Sequence, residues 1–416
     1  MSDGTAANLV ADWPIFGPAE AEALKQVLES GHWGHAGDAG YVGRFEPQFE
    51  RTFADLQTAR HGLCVANGTV ALQLALEALD IGFGDEVIVP GLTWQATAGA
   101  VLDVNAEPVL VDVEPDTYCL DPDAVEAALT PRTKAIIAVH LYGSLADLDR
   151  LVEIAERHNL FLIEDCAHSH GSAWRGRGVG SVGSIGCFSF QSSKSLTAGE
   201  GGFCSTNSEE LALRIAALRT CGRRPDGAGE SWRPIQSGNY RLSEWECAVL
   251  SVQLERFPDQ LSRRAENARR LDAAMAAIDG VATMRHQPQV TRRGLYAYVF
   301  RLDSAVELPA EEFRARLAAE LGICVGTTYV PLNGSELYQP RTKRRHHLDT
   351  SYWERIDPAR FDLPVAWRAH ADEAAVIPHE VLLSDWSALQ RLPAAVESIL
   401  ESARAHDAAA AEARAS

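Results

Sequence analysis

Lys194 and Asp165 are residues whose surroundings in the sequence favour joint chemistry. Lys194 lies in a turn rich in serine and glycine, residues 189–202, and Asp165 closes a segment in which two acids follow the apolar run 160–163. A carboxylate at a strand end keeps a pyridine nitrogen protonated, and a lysine amine forms a Schiff base with an aldehyde. The pattern predicts a site for pyridoxal phosphate (PLP), with a lysine on a polar surface loop as the alternative.

A glycine-threonine turn, Gly68-Thr69, lies between an apolar strand and an amphipathic helix. Free backbone N–H groups and the positive end of the helix dipole favour a bound phosphate at such a turn. The same turn is typical of a simple helix cap, so the motif alone leaves both interpretations open. Ser189, at the end of the strand before the lysine, offers a hydroxyl to the same phosphate.

Two aromatic side chains follow strand ends in the same part of the sequence. Trp94 comes after a strand and a proline, where its flat ring is placed to stack on the cofactor, and core packing is the alternative. His168 lies three residues after Asp165 and is a candidate to contact the cofactor's phenolic oxygen or to position Asp165. A purely structural role for His168 is the alternative.

Short apolar runs alternate with helical patterns between about residues 60 and 205. The runs are continuous, as in strands that helices cover on both faces, which predicts an α/β fold with a mainly parallel sheet. The chain of 416 residues exceeds the usual size of a single core, so we expect a large domain at residues 1–250 and a smaller α+β domain at residues 251–416. Pro258 is expected to break or kink the long helix that links the two.

The composition is that of an ordinary globular enzyme, with 46% hydrophobic and 23% charged residues. A formal net charge of -19 argues against nucleic acid or an anionic membrane as the main partner. The sequence shows no apolar segment of membrane-spanning length and no signal-peptide pattern, so a cytoplasmic protein is expected. The eight cysteines form no CxxC pair, which predicts buried free thiols and no metal site.

The stretch IEDCAHSHGSAWRGRGVGSVGSIGCFSFQSSKSLTAGEGG, residues 163–202, resembles PLP-dependent aminotransferases of the DegT/StrS type, which act on keto-sugars and keto-cyclitols. The resemblance extends from about residue 13 to residue 383 and implies PLP-dependent transferase fold type I, with a sheet of seven strands. It implies Lys194 as the Schiff-base lysine, Asp165 as the partner of the pyridine nitrogen and Ser189 as a phosphate ligand. It implies further cofactor contacts from Gly68, Thr69, Trp94 and His168.

Residues 238–244, GNYRLSE, match a segment that family members contribute to the active site of a neighbouring subunit. The resemblance therefore implies a homodimer with shared sites, in which Asn239 contacts the partner's phosphate. The residues alone indicate only a helix N-terminus capped by Ser243. Arg241 is a candidate for the donor carboxylate, with a salt bridge at the dimer interface as the alternative. Further candidates for substrate contact are Tyr142, Tyr329 and Asn333.

Within the family, the likeness is greatest to aminotransferases of aminocyclitol antibiotic pathways, the glutamine:2-deoxy-scyllo-inosose and scyllo-inosose type. The segments 90–122, 288–303 and 377–383 carry this likeness. Synthases that make an aminohydroxybenzoate starter are similar as well. Three departures lie near the substrate end: His168 replaces glutamine, Asn333 replaces histidine, and Pro378-His379 replaces a His-His pair.

The sequence leaves rival functions open. A nucleotide-diphospho-keto-sugar aminotransferase would use the same chemistry, and the basic run at residues 341–347 would then bind the diphosphate. A solvated surface loop is the alternative interpretation of that run. A PLP-dependent sugar dehydratase is disfavoured because Lys194 is present. A non-catalytic binding protein is disfavoured because Lys194, Asp165 and Ser189 are all retained.

Overall fold

The computed structural model describes residues 9–34, 43–229, 232–343 and 350–415. Its α-helices are α1 (Pro18–Ser30), α2 (Phe45–Leu56), α3 (Gly68–Ala78), α4 (Ala96–Asp103), α5 (Pro122–Ala127), α6 (Leu148–His158), α7 (Glu209–Arg219), α8 (Glu244–Met275), α9 (Ala310–Leu321), α10 (Thr350–Arg355), α11 (Pro364–Arg368), α12 (Trp386–Leu389) and α13 (Arg391–Ala415). Short 3-10 turns lie at Pro340–Thr342, Pro358–Arg360 and Val381–Leu383, and a π-helical turn lies at Ala369–Glu373.

The strands are β1 (His61–Val65), β2 (Glu86–Pro90), β3 (Glu107–Val111), β4 (Thr133–Val139), β5 (Phe161–Asp165), β6 (Ala173–Trp174), β7 (Arg177–Gly178), β8 (Ile185–Ser189), β9 (Gly202–Thr206), β10 (Val281–Thr283), β11 (Val290–Arg292), β12 (Ala297–Leu302) and β13 (Ala374–Pro378). Within the described residues they form a seven-stranded sheet in the order β1-β9-β8-β5-β4-β2-β3, and two three-stranded sheets, β10-β12-β13 and β11-β6-β7.

The seven-stranded sheet is mainly parallel. Its β2, β3, β4, β5 and β8 pair in parallel, whereas β9 runs antiparallel to both of its neighbours. Every residue of β2 and β8 is buried, because helices cover both faces of the sheet. The predicted α/β class and the seven-stranded architecture are therefore confirmed.

A separate hydrophobic core lies under the antiparallel sheet β10-β12-β13, where α9 and α13 cover it. Helix α8 contributes its C-terminal half to that core and its N-terminal half to the core of the large sheet. The helix therefore passes from the first core to the second between Leu261 and Ala268, whereas the domain boundary was predicted at residue 250. The boundary at that residue stays a prediction.

Pro258 lies inside α8, which continues without interruption through 32 residues. The predicted break is therefore wrong, and the predicted kink stays a prediction. An interior proline costs a helix about 3 kcal/mol, but the side chains beside it, Phe257 and Leu261, are buried in the core. Packing of these neighbours offsets the cost. Ser243 is the N-cap residue of α8, as predicted, although its hydroxyl bonds to the Glu246 carboxylate rather than to the helix backbone.

In the described parts of the chain, no helix combines the length and the hydropathy needed to cross a bilayer. All eight cysteines are free thiols. Cys221 and Cys324 are exposed, whereas the other six are buried, which confirms most of the expectation for these residues.

Candidate active site

The functional candidates gather at the carboxyl edge of the large sheet. β5 ends at Asp165 and β8 ends at Ser189, and the two strands pair in parallel. Tyr142 follows β4, and Trp94 follows β2, at the same edge. Ligands of open α/β sheets bind at this edge, because loops and helix N-termini converge there.

The Asp165 carboxylate is buried and held by two donors. The Thr97 hydroxyl donates to Oδ2 at 3.0 Å, and the Ala167 N–H donates to Oδ1 at 3.2 Å. Burial raises the pKa of Asp165, while these hydrogen bonds and the charge of Lys194 oppose the rise. Thr97 is fixed in turn by the hydroxyl of Thr93, at 3.0 Å. The carboxylate is thus oriented before any ligand arrives.

Lys194 lies close to Asp165 with only 9% of its surface exposed. Burial lowers its pKa to about 8, although the Asp165 charge favours the protonated form. Its Nζ lies 4.5 Å from the centre of the Tyr296 ring. An amine with this pKa exchanges protons readily near neutral pH, which suits a general acid and base.

Two distant side chains hold the loop before Lys194. The indole N–H of Trp13 donates to the Ser192 carbonyl at 3.2 Å, and Nε2 of His379 lies 3.1 Å from the Ser193 carbonyl. Because a carbonyl only accepts, His379 carries its proton on Nε2. We call Trp13 and His379 the loop clasp. Their rings also contact each other edge to face, with centroids 4.7 Å apart.

The N-terminus of α3 meets the end of β8. Asn67 caps α3 by accepting from the Val70 N–H at 2.9 Å, so the N–H groups of Gly68 and Thr69 lie ahead of the first helical hydrogen bond. A Cβ on Gly68 would lie 2.7 Å from Cβ of Ser189. We call Gly68, Thr69 and Ser189 the α3 end of the site. The backbone itself shapes this concave surface.

Gly202 and His170 keep the α3 end compact. A Cβ on Gly202, at the start of β9, would lie 2.3 Å from backbone atoms of Asn67. Nε2 of His170 lies 2.8 Å from the Ser189 carbonyl, to which it donates. Burial lowers the pKa of His170 to about 3, so the ring is neutral. These contacts fix the ends of β8 and β9 against α3.

A second part of the site, which we call the aromatic wall, is formed by five ring side chains: Trp94, Tyr142, His168, Tyr296 and Tyr329. The rings of His168 and Tyr296 stack with centroids 3.9 Å apart and planes 12° apart. Tyr142 stacks on His168 from another side, at 5.4 Å. Trp94 is 46% exposed and lies 5.6 Å from Tyr329, so its ring is not buried in a core. The core-packing alternative for Trp94 is therefore wrong.

His168 has partners on both ring nitrogens. The Tyr142 N–H donates to Nδ1 at 3.3 Å, and Nε2 lies 3.3 Å from the Tyr329 hydroxyl. Burial lowers the pKa of His168 well below its usual value, so the neutral ring carries its proton on Nε2. This geometry supports the structural alternative over the predicted contact with a phenolic oxygen. The ring does not touch the Asp165 carboxylate through either nitrogen.

Three predicted residues lie apart from this cluster. Asn239 is exposed and accepts only weakly from the Arg241 N–H, at 3.4 Å, while Nη1 of Arg241 lies 3.9 Å from Sγ of Cys221. The Asn333 side chain donates to the Phe361 carbonyl and accepts from the Trp367 indole, both at 3.0 Å. Both ends of that amide are occupied by neighbours in the fold.

The basic run is described only in part. Arg341 pairs with Asp357 at 2.6 Å, and Lys343 pairs with Asp103. These two cations therefore have acidic neighbours, which supports the surface-loop interpretation. The remaining basic residues of the run, at 344–347, lie outside the described residues.

His140, Glu164 and Cys166 form a buried cluster below Asp165, with possible ligand atoms within 4.8 Å of one another. The Glu164 carboxylate already accepts from His140 and from the backbone N–H groups of Gly180, Val182 and Gly183. Although burial acts in the opposite direction, these bonds hold its pKa below the usual value. Both oxygens of the Glu164 carboxylate already accept hydrogen bonds from these four donors, so the cluster fixes the end of β5.

Sequence reasoning missed Tyr296, Thr97 and His170 as parts of the site, and it placed His379 near the substrate end without predicting its contact with the loop before Lys194. Tyr296 and His379 flank strands of the small sheet, more than a hundred residues from Lys194 along the chain. No local spacing connects them to it. His170 gave a usable signal, because it stands two residues after His168 within the most specific motif.

The fold and the lysine-aspartate pair define the class. The sheet order, the crossing helix and the buried lysine at the carboxyl edge are those of PLP-dependent transferase fold type I. Residues 14–381 match the sequence profile of the DegT/DnrJ/EryC1/StrS aminotransferase family, and the chain belongs to this family. The protein is therefore an aminotransferase.

Similar proteins cover nearly the whole chain. L-glutamine:scyllo-inosose aminotransferase of Streptomyces griseus is 45% identical, over 94% of each chain. L-glutamine:2-deoxy-scyllo-inosose aminotransferase of Streptoalloteichus tenebrarius is 44% identical, over 93% of each chain. Among solved structures, 3-amino-5-hydroxybenzoic acid synthase superposes with a TM-score of 0.82 at 34% identity, covering 96% of this chain and 100% of that one.

Proposed function

We propose that this aminotransferase uses PLP to move an amino group from L-glutamine, or L-glutamate, to a keto-cyclitol such as scyllo-inosose or 2-deoxy-scyllo-inosose. The observation that carries the proposal is the Lys194 amine, buried beside an oriented Asp165 carboxylate. The names of the similar proteins support the donor and the acceptor. The product belongs to aminocyclitol antibiotic biosynthesis.

The described residues fit PLP. The α3 end offers backbone N–H groups, a serine hydroxyl and a surface that a Cβ on Gly68 would fill, which suits a phosphate. Asp165 offers the carboxylate that a pyridinium needs, and Lys194 offers an amine of lowered pKa for the aldehyde. The exposed ring of Trp94 is available to stack on the pyridine. We assign these contacts to the cofactor, and none to His168.

When bound, PLP supplies an electron sink that stabilises negative charge on the carbon losing a proton. Lys194 takes that proton from the donor's Cα and returns it at a neighbouring carbon, since its pKa of about 8 allows both directions. Asp165 remains anionic and holds a proton on the pyridine nitrogen, because Thr97 and Ala167 stabilise its charge. The aromatic wall excludes water beside the amine.

The acceptor end favours an uncharged polyol over a nucleotide diphosphate. The aromatic wall presents ring faces and tyrosine hydroxyls, which suit the C–H groups and hydroxyls of a cyclitol. A diphosphate needs cations, and the described cations of the basic run, Arg341 and Lys343, already pair with acids. We propose Tyr142 and Tyr329 as acceptor contacts.

The proposal is tested with the enzyme in its pyridoxamine form. We expect 2-deoxy-scyllo-inosose to restore the absorbance of the PLP form, and a nucleotide-linked 4-keto-sugar to leave the spectrum unchanged. Lys194→Ala is the matched control and should not respond to either ketone. Recovery with the nucleotide sugar alone would assign the enzyme to aminosugar synthesis, and turnover by Lys194→Ala would refute the role of the lysine.

We also propose a homodimer with shared sites, in which Asn239 reaches the phosphate of a second subunit. Its exposure and its weak contacts within its own chain support this. Arg241, beside it, is then an interface or donor-carboxylate residue. Mixing Asn239→Ala with Lys194→Ala should regenerate up to about one quarter of wild-type activity, because one hybrid site is intact. Sites confined to one chain would give no recovery.

We place the reaction in the cytoplasm. The eight cysteines are free thiols, as is usual in a reducing compartment. Fractionation of the producing cells tests this, and activity in the culture medium would contradict it.

A further inference from the structure

The hydrogen bonds of His168 within the aromatic wall have a defined direction. Because the Tyr142 N–H donates to Nδ1 of His168, the ring proton is on Nε2 and is donated to the Tyr329 hydroxyl oxygen. The hydrogen of Tyr329 is then directed away from His168. Burial and neighbouring charges raise the pKa of Tyr329 well above its usual value, so this hydroxyl stays neutral.

A second series of hydrogen bonds, joined to the first by the stacking of Tyr296 on His168, ends beside Lys194. The Tyr296 hydroxyl lies 3.0 Å from Oγ of Ser193. The Ser193 hydroxyl donates to Oε1 of Gln191 at 2.7 Å, and the Ser193 backbone N–H donates to the same oxygen at 2.9 Å. Ser193 therefore accepts from Tyr296. Each link has one donor and one acceptor, which fixes the rotation of every side chain in it.

The ring of Tyr296 has a second contact, with the amine itself. Nζ of Lys194 lies 4.5 Å from the ring centre, within the range at which an aromatic face attracts an ammonium ion. On its other side, the ring stacks on His168 at 3.9 Å. Tyr296 is thus held through its hydroxyl and its ring together.

We propose that Tyr296 is a positioning residue for Lys194, and that His168 and Tyr329 hold it in place. The ring stabilises the ammonium form of the lysine, and the hydroxyl fixes the residue before it. His168 therefore acts through Tyr296. This inference rests on the proposed role of Lys194, and it assigns a function to a residue outside the cofactor contacts.

The effect of the Tyr296 ring on the pKa of Lys194 can be measured because few charged groups surround the amine among the described residues. Asp165 faces Lys194 from β5 and favours the ammonium form. His168 and His170 face it from the loop after β5, and His379 from the loop after β13, but burial holds the pKa of each well below its usual value. These three rings are neutral near pH 8. The Tyr296 ring and Asp165 are then the groups that support the ammonium form.

The test measures the Lys194 amine in the full-length, cofactor-free protein. The rate at which acetic anhydride modifies Lys194, followed by peptide mass spectrometry across pH 6 to 10, gives the pKa of the amine. Tyr296→Leu should lower this pKa by about 0.5 to 1.5 units, because the ammonium form loses the aromatic face. Tyr296→Phe keeps the ring and should give less than half of that shift.

Tyr298→Phe is the matched control, since Tyr298 lies two residues along the same segment and is buried in the small-sheet core. It should leave the pKa of Lys194 unchanged. An unchanged or raised pKa in Tyr296→Leu would overturn the inference. Neither PLP nor substrate enters this experiment, so its failure leaves the proposed function standing, and turnover by Lys194→Ala would instead remove that function.

A double-mutant cycle tests the part played by His168. His168→Phe keeps a stacked ring and removes both hydrogen bonds, and we expect kcat to fall about 10-fold while KM for the ketone changes less than about 3-fold. Adding Tyr296→Phe should cause little further loss, because the two residues act in one chain. Independent, multiplicative losses would show that His168 does not act through Tyr296.

Discussion

The α3 end and the aromatic wall are two parts of one site and are built in different ways. At the α3 end, backbone atoms from neighbouring strands and a helix N-terminus meet, and Gly68 approaches Ser189 too closely for a side chain. The aromatic wall consists of side chains from segments far apart in the sequence, held by stacking and by hydrogen bonds. The first end is thus fixed by the sheet, whereas the second depends on individual residues.

This difference separates retention of the cofactor from choice of substrate. A backbone surface recognises phosphate whichever reaction follows, and it tolerates few substitutions. A wall of side chains can change one residue at a time without disturbing the sheet. Substitutions at the two ends should therefore affect different measurements.

The largest effect is expected from Lys194→Met, which removes a buried ammonium group beside Tyr296 of the aromatic wall. The lysine pKa is about 8 in the folded protein and 10.5 as the usual value, so the charge destabilises the fold by about 3 kcal/mol below pH 8. This cost disappears as the pH rises from 8 to 10.5, because the unfolded chain then holds the extra proton. The variant should be more stable than wild type at pH 7.

Unfolding in urea of the cofactor-free proteins at pH 7 and pH 10 measures the difference. The advantage of Lys194→Met should shrink at the higher pH. Ser189→Ala, at the α3 end, is the control, and its stability relative to wild type should not change between the two pH values. A constant advantage at both pH values would mean that packing, and not charge, is responsible.

Gly68→Ala tests the α3 end directly. The new Cβ would lie 2.7 Å from Cβ of Ser189, which the paired strand β8 holds in place. PLP affinity should fall about 30-fold, as measured by fluorescence titration. Gly326→Ala is the matched control, since its Cβ would meet only the Val376 carbonyl oxygen, at 4.0 Å. Equal affinities for the two variants would show that the turn does not bind phosphate.

Tyr329→Phe tests the aromatic wall, and it should affect turnover of the ketone rather than affinity for PLP. It removes the hydroxyl that His168 contacts and that we assign to the acceptor. The value of kcat/KM for the keto-cyclitol should fall about 10-fold, while PLP affinity stays within about 2-fold of wild type. Loss of PLP affinity in this variant would remove the distinction between the two ends.

The smallest effect is expected from Asn333→Ala. The Asn333 amide is bonded to the Phe361 carbonyl and the Trp367 indole, and these contacts favour a structural role over the predicted contact with the substrate. We expect less than about a 3-fold change in kcat/KM for either substrate, with a loss of stability of about 1 kcal/mol. A larger change in KM for the ketone would place Asn333 in the acceptor site after all.

The two ends also differ in how far the sequence predicts them. The residues at the α3 end and the lysine-aspartate pair lie in strand ends and turns that short stretches of sequence predict. Parallel pairing of the strands then brings these residues, Gly68, Ser189, Asp165 and Lys194, to one edge of the sheet. The α/β class follows from the same continuous apolar runs. Tyr296 could not be predicted in this way, because its contact with Lys194 depends on how the small sheet packs against the large one.

One expectation was wrong, and a second stays a prediction that the contacts within the fold do not favour, for related reasons. The break at Pro258 follows from local backbone chemistry, and the buried side chains around it outweigh that preference. A cofactor contact for His168 follows from its distance to Asp165 along the chain, yet both ring nitrogens are taken by tyrosines from other segments. In both cases tertiary contacts decided the outcome, and they have no signature in a short stretch of sequence.

The loop clasp has a consequence for biosynthesis of the chain. Trp13 is synthesised before Ser192, whose carbonyl it holds, but His379 follows Ser193 by 186 positions along the chain. At typical translation speeds, about 10 to 40 s pass between the synthesis of Ser193 and the synthesis of His379. The loop that carries the reactive lysine therefore gains its contact with His379 only after 186 further residues have been added, and a nascent chain that ends before His379 would hold this loop through Trp13 alone.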